Sequence, residues 1–196
     1  EVFNSNWSNN GNRLNVSFPI AKVNKEKRTV SGFATLNNVD RHGDIVTPDA
    51  SEKAFQRFRG NLREMHQPLA VGKVVSFKPQ QYLDKESGNT YEGIFVDAYI
   101  SKGAQDTWEK VLDGTLTGFS IGGNIVQASY DDGDNPDNRI IKDYELMELS
   151  LVDSPANPLA NIFSIQKSDD GTIQMMGMAP ETHIENVFWC PVDQVA

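Results

Sequence analysis

Two runs of alternating apolar and polar residues, 119–130 and 139–152, flank the segment Asp131-Asp132-Gly133-Asp134-Asn135-Pro136-Asp137-Asn138. Alternation with period two is the pattern of a half-buried strand, and a cluster of Asp, Asn, Gly and Pro is a turn. The chain therefore contains a long antiparallel hairpin, and the rest of the fold has to accommodate it. Folding the two runs about a centre near Asp134 sets Ser120 roughly opposite Glu148, with a slip of a residue or two allowed.

The remaining segments supply the partners of that hairpin. Residues 30–39 alternate and read as the first core strand. The polar stretch Asp40-Arg41-His42-Gly43-Asp44 reads as a turn leading into a helix: Thr47 suits the N-cap, Pro48 the first helical position, and Gly60 the stop. Ala50, Ala54, Phe55 and Phe58 then share one helical face. Residues 62–77 read as a strand, a bend and a second strand, 79–89 as a polar hairpin connection, and 91–100 as a further strand. Residues 101–116 form a second amphipathic helix, with Ala104, Trp108, Val111 and Leu112 on its apolar side. The asparagine-rich start to about Ser17 reads as an arm, structure beginning near Phe18. Residues 160–165 suit one more short strand or helix, and from Lys167 onward the pattern weakens into a linker and tail. Strands and two helices without a strand–helix repeat predict an α+β chain: a small antiparallel β-barrel or sheet with helices packed outside.

Composition narrows the function classes. A net charge of -9 argues against nucleic acid, whose phosphates call for clustered Lys and Arg. With Cys190 alone, no intramolecular disulfide forms, no Cys/His cluster has zinc-ligand spacing, and a reducing intracellular setting is expected with neither metal nor cofactor. No apolar run reaches the roughly 20 residues of a membrane span.

Gly118-x-Ser120-x-Gly122 fits the letter of the nucleophile elbow of α/β-hydrolases, yet extended chain follows Ser120 where that elbow needs a helix. A serine nucleophile needs a base. Of the three histidines, His42 sits in a polar turn and reads as solvated, and His183 lies in the irregular tail. His66 lies between core elements and is the best placed, although by residue type alone an isolated histidine is more often a structural or surface residue, and a serine between glycines more often a packing choice.

Taken together, Gly32-Phe33-Ala34, Asp40-Arg41-His42-Gly43-Asp44-Ile45-Val46-Thr47-Pro48, His66 with Gly72-Lys73-Val74, Gly118-Phe119-Ser120-Ile121-Gly122-Gly123 and Glu148-Leu149-Ser150-Leu151-Val152-Asp153-Ser154-Pro155-Ala156-Asn157-Pro158 resemble the prohead maturation proteases of tailed phages, a family related to the herpesvirus assemblins. The resemblance implies a serine endopeptidase on an assemblin-like barrel flanked by helices. Its substrates would be scaffold and major capsid proteins, and itself, inside the procapsid assembling in the host cytoplasm. Matched residue by residue, Ser120 is the nucleophile and His66 the general base. The third member departs from the assemblin pattern, which uses a second histidine. Glu148 takes that part here through the hairpin register, with Asp44 and Asp153 as runners-up. Amides near Ile121 and Gly122, or around the turn from Ser154 to Asn157, are the candidate oxyanion donors.

The implied organisation is an arm over 1–19, a protease domain over 20–167, and a tail or linker toward a scaffold segment over 168–196, with self-association and self-cleavage at the termini as further expectations. The rival reading is a catalytically idle capsid-assembly protein on the same barrel.

Overall fold

The computed structural model describes residues 13–40, 43–84, 87–130, 133, 135–153, 164–167, 172–179 and 182–189. In chain order its elements are β1 (Arg13–Asn24), β2 (Thr29–Leu36), β3 (Asp44–Val46), α1 (Pro48–Arg57), β4 (Asn61–Glu64), β5 (Ala70–Leu83), β6 (Thr90–Ile100), α2 (Gln105–Leu112), β7 (Gly118–Tyr130), β8 (Arg139–Val152), β9 (Ser164–Lys167), β10 (Thr172–Ala179) and β11 (Thr182–Trp189). Strand pairing runs β1–β2–β6–β5–β4–β8–β7 and returns from β7 to β1, which closes a seven-stranded barrel. Every junction of the ring is antiparallel except β4–β8, where Leu62, Arg63 and Glu64 run parallel to Leu149, Ser150 and Leu151. The short β3 also lies parallel to the start of β8, and β10 extends the sheet from Lys22, Val23 and Asn24 of β1.

Period-two alternation decides what fills the barrel. Val16 and Phe18 of β1, Phe119 and Ile121 of β7, Leu149 and Leu151 of β8, and Leu62 of β4 are all buried in one hydrophobic cluster. The residues between them, Ser17, Ser120, Glu148 and Ser150, therefore face the other way on adjacent strands. Burial of the aliphatic and aromatic side chains, each worth about 1.5–3 kcal/mol, is what holds the strands in this register.

The two helices are short. In α1, Thr47 caps the first turn by accepting the Ala50 N–H at 3.2 Å, and Ala50, Ala54 and Phe55 turn inward as their spacing predicts. Phe55 packs against Phe58 and, across the gap to β5, against Phe77 at 5.6 Å between ring centroids. The Tyr144 hydroxyl donates to Ser51 Oγ at 3.0 Å, tying α1 to β8; burial raises the Tyr144 pKa well above its ordinary value. In α2, Trp108 and Val111 are buried and the Arg28 guanidinium lies 4.9 Å from the indole ring centre.

Several sequence expectations are corrected. The chain is mostly β rather than α+β: among the described residues helix is confined to α1 and α2. Residues 13–17, read as arm, are strand, because Leu14-Asn15-Val16-Ser17-Phe18 is itself an alternation hidden beside an asparagine-rich run. β5 continues through Pro79 to Leu83, which shortens the connection read over 79–89. The second helix, read over 101–116, occupies only Gln105–Leu112. Asp44, Ile45 and Val46, at the end of the polar turn, form β3.

The hairpin of β7 and β8 is present, with Ser120 opposite Ser150 and Glu148 opposite Gly122. The two-residue slip has two sources. Tyr130 pairs with Arg139, which centres the turn half a residue beyond Asp134, and a bulge leaves Met147 without a partner between the Gly122–Glu148 and Gly123–Leu146 pairs. The bulge is also why Leu146 and Leu149, an odd number of residues apart, both face inward.

Candidate active site

β4 ends at Glu64, and the chain reverses through Met65 and His66 with Gln67 N–H donating back to Glu64 C=O at 2.9 Å. Both central residues are left-handed, Met65 at φ 51° and His66 at φ 58°, the backbone of a type I′ turn. Non-glycine residues adopt this conformation only when their surroundings hold it. Here β8 holds it: Met65 N–H donates to Leu151 C=O at 2.9 Å, and His66 N–H to Ser150 Oγ at 3.1 Å.

Just before the turn, Glu64 anchors the end of β4 to α2. Its carboxylate accepts from Thr107 Oγ1 at 2.5 Å and Lys110 Nζ at 2.6 Å. Burial works to raise the Glu64 pKa, but the hydrogen bonds from Lys110 and Thr107 outweigh it and hold the carboxyl below its ordinary value. The same contact raises Lys110.

The turn delivers the His66 ring to the outward face of β7 and β8. Nε2 lies 2.9 Å from Ser120 Oγ, and Nδ1 is hydrogen-bonded to Glu148 Oε1. A carboxylate only accepts, so this contact assigns the proton to Nδ1 and leaves the Nε2 lone pair facing the serine hydroxyl. The second carboxylate oxygen, Oε2, accepts from Ser150 Oγ at 2.6 Å. Ser120 is 1% exposed, and the side chains of Glu148 and His66 are 9% and 26% exposed. Hydrogen bonds to charged groups in so enclosed a place are stronger than in water.

Gly122 makes room for this arrangement. A Cβ built there would collide with Glu148 Oε1 and stand 3.0 Å from its Cδ, so the carboxylate occupies the volume of the absent side chain.

The structure thus brings Ser120, His66 and Glu148 together and leaves the other candidates elsewhere. Asp44 is buried in a bidentate pair with Arg139, both contacts at 3.0 Å. That pair sits at the opposite end of β8 from Glu148, about 30 Å away at the rise of a strand. Asp153 is exposed just beyond β8. His183 lies on β11 opposite Met178, and His42 falls outside the described residues. The amides of Ile121 and Gly122 belong to a strand paired on both edges, with β1 and with β8. The turn from Ser154 to Asn157 lies outside the described residues.

Sequence reasoning missed Ser150, Gly122 as the seat of the carboxylate, and the left-handed turn. Ser150 had a signal, being two residues from Glu148 on one strand and hence on its face. The turn had none, since Met-His lacks the Asn and Gly that mark type I′ turns.

A family model described as "Putative phage serine protease XkdF" matches residues 15–128 of the chain. That span carries both His66 and Ser120 and stops before Glu148. The chain is 28% identical over 148 residues to the prohead protease of Escherichia phage T5, covering 72% of this chain and 64% of that protein. It is 28% identical over 110 residues to the protein YqbD of Bacillus subtilis (strain 168), covering 53% and 34%, respectively. Over 167 residues it is 25% identical to the capsid polyprotein of Pseudomonas phage PAJU2, covering 81% and 23%. The chain thus spans less than two thirds of the length of each of these relatives. No solved structure matches it.

Proposed function

The chain belongs to the XkdF family of phage serine proteases, and from that premise we propose that it is a serine endopeptidase acting on scaffold and capsid proteins, itself included, as a procapsid matures inside the host cell. The observation that carries this reading is the 2.9 Å approach of His66 Nε2 to Ser120 Oγ, with Nδ1 of the same ring on Glu148.

In the proposed reaction Ser120 Oγ attacks the scissile carbonyl carbon while Nε2 takes its proton. The C–O bond forms as the carbonyl π bond opens to an oxyanion. Collapse of that intermediate breaks the C–N bond, and the imidazolium returns the proton to the departing amine. A water then repeats the sequence on the acyl-enzyme ester and frees Ser120. Glu148 stays ionised throughout, orienting the ring and stabilising its charge. The kinship with assemblins belongs to the same proposal, at the level of a barrel carrying a serine and its histidine base.

Capsid-related substrates are suggested by the names of two relatives, a phage prohead protease and a phage capsid polyprotein. The test is incubation of the purified chain with the scaffold and capsid proteins of its own phage, beside the Ser120→Ala variant. Processing by the wild type and a fall in the variant on the order of 10⁶-fold, to background, is expected. Equal processing by both, or none by either, removes the protease assignment and leaves the idle capsid-assembly component.

A further inference from the structure

We propose that Ser150 is a positioning residue of this site, its hydroxyl locking the backbone of the base to the carboxylate that orients it. The proposal rests on the protease reading for its meaning in turnover, but the geometry behind it is independent of substrate. Ser150 is fully buried. Its Oγ accepts the His66 N–H at 3.1 Å and donates to Glu148 Oε2 at 2.6 Å, while Glu148 Oε1 meets Nδ1 of the same histidine. The hydrogen bonds form a cycle that leaves from the His66 backbone and returns to the His66 ring, fixing both ends of one residue with one hydroxyl and one carboxylate.

The fold explains why a side chain does this work. β4 runs parallel to β8 only as far as Glu64 opposite Leu151, and Met65 N–H makes the last backbone bond to that strand. The left-handed turn then carries His66 N–H off the ladder, where an unpaired buried donor would be strongly unfavourable. Ser150 satisfies it, and the same hydroxyl proton selects one orientation of the Glu148 carboxyl group. Without it the carboxylate has no fixed second oxygen and the ring is no longer held edge-on to Ser120.

Glu148 of β8 meets the ring, while Glu64, at the start of the same turn, is held by Lys110 and Thr107 of α2. Substitution at 150 leaves the Glu64 set untouched. Ser150→Thr and Ser150→Val have the same shape and differ only in the hydroxyl, so packing effects cancel between them. Two readouts decide. In peptide hydrolysis, the Val variant is expected to lose kcat by roughly 10- to 100-fold with KM little changed, the Thr variant staying near wild type. In an NMR titration of the His66 ring, the midpoint falls in the Val variant, because a carboxylate released from Nδ1 no longer stabilises the imidazolium, and holds in the Thr variant. The NMR midpoint needs no turnover, so it judges Ser150 even if Ser120→Ala processes as well as wild type and the protease reading fails. Thr and Val variants that behave alike, or a Val midpoint that does not fall, overturn the proposal.

Discussion

Gly122 has no side chain, and the Glu148 carboxylate fills the volume where one would be. The backbone there is ordinary extended strand, so alanine is conformationally acceptable and only the collision matters. Gly122→Ala is expected to displace the carboxylate from His66 and reduce peptide hydrolysis by roughly 10- to 100-fold while the thermal midpoint and far-UV spectrum stay close to wild type. Undiminished hydrolysis would mean that Glu148 reaches the ring from another rotamer. The glycines flanking Ser120 are conspicuous in the sequence as room for something, but not as room for a particular residue of the facing strand. That identity depends on register, and register depends on a bulge at Met147 that no local pattern announces. Ser120 and His66 could be selected from the sequence because the family resemblance falls on the glycine-flanked serine and on the one histidine that lies between core elements. Ser150 could not, being one serine among many until a strand face is known.

Among elements, the junction of β4 with α2 is the one whose energetics follow from a single ion pair. Burial opposes ionisation of the Glu64 carboxyl, but the hydrogen bonds from Lys110 and Thr107 prevail and hold it below its ordinary range. A depressed carboxyl contributes stability that is fully present above its unfolded pKa and is lost as pH falls through the folded one. Urea unfolding of the wild type and of Glu64→Gln should therefore differ by a constant amount above about pH 5 and converge as the pH drops below about 4. A gap that persists in acid would show that Glu64 contributes through packing alone. The elements were legible in proportion to their local signals. α1 announces itself by Thr47 and Pro48, and the Thr47 hydroxyl accepts the Ala50 N–H as a cap should. β4 is only four residues long, the shortest run in which alternation signals a strand, and the left-handed turn after it uses Met and His where glycine or asparagine is the norm. The stretch that carries the base was thus legible as a strand, a bend and a second strand, but not as a left-handed turn.

Over the whole molecule, the outward face that bears the chemistry is backed by the inward face that bears the stability. Phe119 adjoins Ser120 in the chain and is fully buried inside the barrel. Phe119→Ala is expected to lower the unfolding free energy by about 3–5 kcal/mol. The loss should come in one transition, since Phe119 lies where β7 is paired on both edges, with β1 over Gly118–Asn124 and with β8 from end to end. Far-UV dichroism and the fluorescence of Trp108 on α2, isolated by replacing Trp7 and Trp189 with phenylalanine, should then give superimposable denaturation curves. Separated curves would mean that the hairpin unfolds apart from the helix. Alternation in the sequence was enough to find most strands of the barrel but not the order in which they close, because closure is decided by pairings between segments far apart in the chain. That order carries an arithmetic constraint. Strand directions around a closed ring behave like two colours on a loop: an even loop can alternate throughout, an odd loop cannot. A seven-membered barrel must contain a mismatch, and here it is the seam between β4 and β8. Across such a seam β4 cannot turn by a tight hairpin into β8, so it turns into β5, its antiparallel neighbour on the other side, and His66 is on that connecting turn. An even ring has no such obligation, since its strands can alternate throughout; the parallel seam beside the His66 turn is a consequence of the odd count.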